Sequence, residues 1–516
     1  MISTMKKIVI WIGALLSLGA CSESFLNNLP EDILTAGNFF NTESDFQQAL
    51  IATYGTMRTA GDLNSWVMGE MRSDNTHYDI NRGADASIAT IARLAVTDFL
   101  DDDGNGVTNG KYNGSYVGIS RANTILDRIN EVAMDAGRKE QIIAEAKFLR
   151  AFFYFELVRY YGGVPLYLHE VNNAQEASQQ RATVEEVYAQ IITDATEAAA
   201  VLPPKARELG RASKAAAHML LGYVYLTQKN YPAAEEVLRP IKDFGYSLLS
   251  NYRSVFDPTN KANSELIFEV QFQDGPNGIP SDFIYRFLPM TDDASIVTGF
   301  SVKNITSGLN VPTQNLLAQY EEGDTRLEAS VAIAEGTGET GSSFIIEAIK
   351  SPVGYVAPAG KVGKPYIHKY SWPHAVVGQT NSNWPIYRYA DALLLLAEAL
   401  NEQGGTKSSE ALTYLNEVRH RAFNGEGTIT TTDQDDLRGI IAHERRVELA
   451  FENKRWLDLV RTGRAIEVMT AYGTEIKTID RGVNPNAYKV TEYRLIFPIP
   501  RREIQIGGLK QNPGYD

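Results

Sequence analysis

Apolar positions recur at helical spacing along most of this chain. Thr42-Glu43-Ser44-Asp45 is a capping sequence, and the segment Thr42 to Thr59 places Phe46, Ala49, Leu50 and Tyr54 near one face. The run KEQIIAEAKFLRAFFYFELVRYY, Lys139 to Tyr161, predicts a long helix ended by Gly162-Gly163 and Pro165. Helices are also predicted over Thr183 to Leu202, Ser213 to Gln228 and Tyr231 to Phe244. A second helical block runs from Tyr387 to Gly463, with breaks near Gly404-Gly405 and from Gly425 to Thr432. Strand patterns are short: Glu265 to Phe272, Phe344 to Ile349 and Arg494 to Pro498.

Between Ala212 and Ile241, Leu221-Gly222, Tyr225, Tyr231 and Ala234 fall at tetratricopeptide spacing, where small residues let paired antiparallel helices approach. Leu396-Ala397, Ala411 and Leu415 repeat the theme with a longer turn. The expected fold is mainly α, a helix-hairpin scaffold with a few short strands. Residues 62–112 and 274–385 break the pattern, being rich in Gly, Asn, Asp, Ser, Thr and aromatics. They contain apolar runs such as Phe344-Ile345-Ile346, so they read as a loop-rich subdomain resting on the scaffold and not as linkers.

The amino terminus changes the picture. Lys6 and Lys7 precede an uncharged apolar run, Ile8 to Leu18, and then Leu18-Gly19-Ala20-Cys21. This is an export signal, too short for a spanning helix of roughly 20 residues. Leu-Gly-Ala-Cys is also the pattern of a bacterial lipoprotein signal, so residues 1–20 are expected to be removed and Cys21 to carry the lipid. The plainer alternative is a secretory peptide cut near Ala20 that leaves Cys21 as an idle thiol. Cys21 is the only cysteine, so no disulfide is available. Loss of Lys6 and Lys7 takes the formal charge from −14 to −16, which argues against nucleic acid and against a polybasic membrane patch.

Several motifs then resemble the RagB/SusD-type outer-membrane lipoproteins. They are Ala144-Glu145-Ala146-Lys147-Phe148-Leu149-Arg150-Ala151 through Tyr161-Gly162-Gly163-Val164-Pro165-Leu166, and Arg388-Tyr389-Ala390-Asp391 leading to Ala397-Glu398-Ala399. Glu417-Val418-Arg419 to Arg421-Ala422 and Glu444-Arg445-Arg446-Val447-Glu448 with Arg455-Trp456-Leu457-Asp458 also match. The close, Pro498-Ile499-Pro500-Arg501 and Gln511-Asn512-Pro513-Gly514-Tyr515, matches as well. One departure is Tyr112, where relatives commonly carry Trp. The resemblance covers essentially the whole mature chain, 21–516, as one SusD-like domain. It implies about four tetratricopeptide-like helix pairs carrying a loop-built ligand site. It also implies a surface-exposed, lipid-anchored outer-membrane protein that passes oligosaccharides, or in a minority peptides, to a SusC-like TonB-dependent transporter.

A sugar site needs flat aromatic faces and hydrogen-bonding side chains. Trp66 and Trp372 lie in the loop-rich stretches and are candidate platforms, against the alternative of half-buried loop anchors. Asp74, Asn75, Tyr78 and Arg82 follow Trp66 and are candidate ligand contacts, against the alternative of loop braces. Tyr285 and Phe287 flank Arg286 in a second aromatic cluster. Trp456 and Trp384 read as packing. Asp101, Asp103 and Asn105 match the first positions of a calcium loop, but Tyr112 stands where the bidentate Glu belongs, so a solvated acidic turn is the better reading. The seven histidines show no metal spacing, and no G-x-S-x-G is present, so neither a cofactor nor a catalytic residue is assigned. Glycan binding therefore leads, a peptide-binding member of the same architecture comes second, and a lipid-anchored glycoside hydrolase comes third.

Overall fold

Thr42 and Asp45 cap one another at the head of the first helix, α1 (Glu43–Gly55), satisfying end donors that the helix itself leaves unpaired. The computed structural model describes residues 39–60, 63–79, 88–291, 293–302, 307–338 and 344–515. The leader, Cys21 and Arg82 lie outside them. Next come α2 (Leu63–Gly69), α3 (Gly106–Arg128) and α4 (Ala136–Tyr161). The α4 helix starts earlier than the periodicity predicts, because Asp135 accepts from the Arg138 amide at 2.9 Å. It stops as expected at Gly162, whose φ of 71° suits glycine. Thr183 and Glu186 form a second capping box on α5 (Val184–Val201), and Ser213 caps α6 (Lys214–Thr227). The α7 helix (Tyr231–Leu238) is shorter than predicted. Pro240 lacks an amide donor, and the chain tightens there into a 3-10 turn, Arg239–Phe244.

Successive helices pack side by side: α3 on α4, α4 on α5, α5 on α6 and α6 on α7. The tetratricopeptide glycine has the expected job. A β-carbon on Gly222 of α6 would sit 2.5 Å from Leu238 Cδ2 of α7, so only glycine allows this approach. The second block supplies α8 (Tyr389–Asn401), α9 (Thr406–Ala422), α10 (Gln434–Glu448), α11 (Arg455–Arg461) and α12 (Ala465–Ile479). There α8 packs on α7, α9 and α10 and joins the two blocks.

The strands are few. β1 (Thr76–His77) pairs antiparallel with β3 (Val311–Pro312), and β2 (Leu266–Val270) with β7 (Trp384–Arg388). A three-stranded antiparallel sheet has β4 (Val331–Thr337) between β5 (Ile345–Lys350) and β6 (Val362–Ile367). The segment Arg494 to Pro498 corrects a prediction: Glu492–Leu495 is a 3-10 turn. Its apolar residues serve burial instead of a ladder, since Phe497 and Ile499 are fully buried and the Phe497 amide donates to the Tyr160 carbonyl at 2.7 Å. Among the described residues, no helix is long and apolar enough to cross a membrane.

The charged motif on α10 lies inside the molecule. Glu448 accepts from Arg326 at 3.0 Å, Arg388 at 3.0 Å and Arg421 at 2.6 Å, and all four side chains are buried. Arg388 also reaches Glu265 at 2.7 Å and Glu452 at 2.8 Å, tying the β2–β7 pair to the helices. Burial holds these charges in a medium where pairing is strong and an unpaired charge is costly.

Candidate functional site

The two loop-rich stretches, far apart in sequence, meet in space. The β1–β3 pair joins them, and just beyond β1 the Asp79 amide donates to the Gly308 carbonyl at 2.9 Å. The Asp79 carboxylate receives the Met290 amide at 3.1 Å and Lys364 Nζ at 3.0 Å. A short helix, Phe283–Phe287, works on two sides because of its turn. Phe283 and Phe287 enter the main core, whereas Ile284 and Tyr285 pack into a smaller core over the three-stranded sheet.

From that second core the Tyr285 hydroxyl reaches His374 Nε2 at 2.6 Å. His374 Nδ1 lies 3.0 Å from the Trp372 carbonyl, which can only accept, so the ring proton sits on Nδ1 and Nε2 accepts from tyrosine. Phe300 lies against the same imidazole, centroids 5.2 Å apart. Trp372 is half-buried. Its Nε1 donates to the Lys369 carbonyl at 3.1 Å, and the Arg253 guanidinium stacks 4.5 Å from the ring. Arg253 is itself fixed by the carbonyls of His368 at 3.0 Å and Ser371 at 2.7 Å. Val376 and Val377 stand exposed just beyond. The result is a braced aromatic surface of Phe300, Trp372 and His374, while Tyr285, a sequence candidate for ligand contact, is 4 % exposed and serves as the buried brace behind His374. Both imidazole nitrogens are engaged, which fixes the ring in place. Apolar ring edges with a polar frame suit holding a ligand.

The other sequence candidates are placed differently. Trp66 is 3 % exposed, with its ring 4.7 Å from Phe287, 5.7 Å from Phe283 and 6.3 Å from Trp384. Four large apolar rings gain more by excluding water together than by lining a loop. Neither Trp66 nor the fully buried Phe287 offers a ligand a free face. Tyr78 is also buried. Asp74 is held by Arg455 at 2.8 and 2.9 Å and by Arg446 at 2.9 Å. Asn75 bridges Glu70 and Arg446, both at 2.9 Å. These two are braces between the first loop and the α10–α11 region. The weak calcium candidate also falls: Asp101 pairs with Arg72 at 2.7 Å, Asp103 with Arg501 at 2.6 Å, and Asn105 caps α3. Their oxygens serve three different partners, and no metal-binding group occurs among the described residues.

Sequence reasoning passed over His374, Phe300 and Arg253. His374 had a signal, its place two residues from Trp372. Phe300 and Arg253 had none, since only folding brings them to that loop.

Two family models match the chain: the SusD family over residues 280–515, and "Starch-binding associating with outer membrane" over residues 25–226. A SusD-like protein P2 of Formosa agariphila is 30% identical over 99% of this chain and 100% of its own length. The starch-binding protein SusD of Bacteroides thetaiotaomicron is 26% identical over 77% of this chain and 76% of its own. Among solved structures, a laminarin-binding SusD-like protein superposes with a TM-score of 0.71 at 26% identity, covering 92% of this chain and all of that one. The chain belongs to the SusD family.

Proposed function

We propose that this SusD-family chain is a lipid-anchored, surface-exposed glycan-binding protein that captures oligosaccharides and hands them to a SusC-like TonB-dependent transporter. The reading rests on the braced aromatic surface of Phe300, Trp372 and His374, with the buried Tyr285 behind it. Ring faces and edges cover the apolar side of a pyranose, while the polar frame keeps the rings in place. The laminarin-binding relative and the starch-binding family description favour a glycan over a peptide. The family description also favours the outer membrane, and Cys21 after Leu18-Gly19-Ala20 supplies the anchor. The chain is read as binding and not cleaving, because the family description and the laminarin-binding relative are those of binding proteins.

The test is a binding screen of the purified chain against plant, host and fungal glycans together with peptide pools, followed by product analysis of any ligand found. Glycan binding without shortening of the sugar is the expected result. Binding confined to the peptide pools, or release of shorter sugars that a carboxylate substitution abolishes, refutes it.

A further inference from the structure

Away from that surface, α10 and α12 are held apart by a polar cavity of about 360 Å³, within the range of small-ligand sites. Both walls follow helical spacing. From α10 come Gly439, Ala442, His443 and Arg446, and from the head and body of α12 come Arg464, Val468 and Tyr472, with Glu467 and Glu475 on the adjacent row. Gly439 and Ala442 keep the space open, and a β-carbon on Gly439 would meet nothing within 4 Å.

Three features of the lining ask for an anionic group. The Tyr472 hydroxyl is buried and has no hydrogen-bond partner among the described residues. An unpaired buried hydroxyl is costly, and a ligand acceptor would relieve it. Arg446 and Arg455 share a single carboxylate, Asp74, as their direct ion-pair partner. Their Nη1 groups have no acceptor among the described residues. Burial, opposed by Asp74 and reinforced by the Arg455 charge, pulls Arg446 down to about 10. A third guanidinium, Arg464, stands exposed at the mouth with no ion pair among the described residues. Acceptors are present too: Glu467, and Glu475, which takes the Asn315 amide at 2.7 Å.

We infer that this cavity is a second ligand site, specific for an acidic sugar. Its carboxylate meets Arg446, Arg455, Arg464 and Tyr472, and its ring hydroxyls donate to Glu467 and Glu475. The chain's overall negative charge does not forbid this, because at physiological salt it is screened beyond about 8 Å and the local guanidinia decide. The sugar part of the assignment rests on the proposed glycan-binding function, whereas the anion part stands on the cavity alone.

The test is calorimetric titration of the full chain in detergent with D-glucuronate, D-glucose and sodium sulfate at constant ionic strength. Glucuronate is expected to bind at least ~10-fold more tightly than either of the others, the size of one charge-assisted hydrogen bond. Arg464→Gln and Tyr472→Phe should each weaken it about tenfold. Tyr472→Phe should leave melting unchanged or slightly raised, because the hydroxyl it removes has no partner. Gly439→Leu, filling open space, should abolish glucuronate binding and leave neutral-glycan binding at Trp372 intact. Glucuronate binding with no neutral glycan bound anywhere keeps this site and defeats only the earlier function. Sulfate binding as tight as glucuronate overturns the acidic-sugar assignment. Glucuronate affinity no better than that of glucose, or unmoved by all three substitutions, overturns the site.

Discussion

Replacing Glu448 with glutamine should cost this protein a large share of its stability. Five buried cations, Arg326, Arg388, Arg419, Arg421 and Lys369, face five buried carboxylates, Asp324, Glu265, Glu444, Glu448 and Glu452. Glu448 touches three of the guanidinia, so its loss leaves one buried positive charge uncompensated. Breaking a buried pair from one side costs about 3–5 kcal/mol. The titration of the group gives a second route to the magnitude. Burial opposes ionisation of Glu448, but Arg421, Arg388 and Arg326 outweigh it and hold the carboxyl at about 2, against 4.5 in the unfolded chain. At 1.36 kcal/mol per pKa unit that is about 3 kcal/mol, in agreement with the first route. Because the folded pKa is the lower one, this stabilisation is present above about 4.5 and is lost as pH falls toward about 2. Urea unfolding of Glu448→Gln beside the parent at pH 7 should show the full deficit, and the gap should close as both are taken down through that window. A deficit below ~1 kcal/mol at pH 7, or a gap that persists undiminished to the acid end, would refute the reasoning.

Trp372→Ala should weaken glycan binding by at least ~25-fold with melting unchanged, whereas Trp66→Ala should lose about 3–5 kcal/mol of stability and contact no ligand. Calorimetry and thermal unfolding of the two variants separate the roles, and swapped results would place the platform at Trp66. Gly222→Val drives a side chain into Leu238 and should destabilise the α6–α7 pair by about 1–3 kcal/mol, read by urea unfolding; a neutral effect would deny the close approach. Cys21→Ala should move the protein from the outer-membrane fraction to the soluble fraction with its circular dichroism preserved, and full sedimentation of the variant with membranes would rule out the lipid anchor.

What the sequence determined by itself is what depends on neighbours along the chain. Thr42, Thr183 and Ser213 cap helices where the spacing placed them, because a cap is a contact within one turn. Gly162 ends α4 and Gly222 marks the close helix pair, because backbone freedom and lack of bulk belong to the residue itself. The family motifs were equally legible, since they are runs of adjacent residues. The tertiary structure decided the rest. Five of the described strands, β1, β3, β4, β6 and β7, gave no readable pattern, because a strand owes its stability to a partner far along the chain, as β2 is to β7. Trp66 and Trp372 looked alike as loop tryptophans, and only the positions of Phe283, Phe287 and Trp384 put the first in the core. Asp74 read as either a ligand contact or a loop brace, and only folding, which brought Arg446 and Arg455 to it, made it a brace. Composition fixes which side chains can meet a sugar. Long-range packing chooses which of them are consumed by the scaffold and which are left to face solvent.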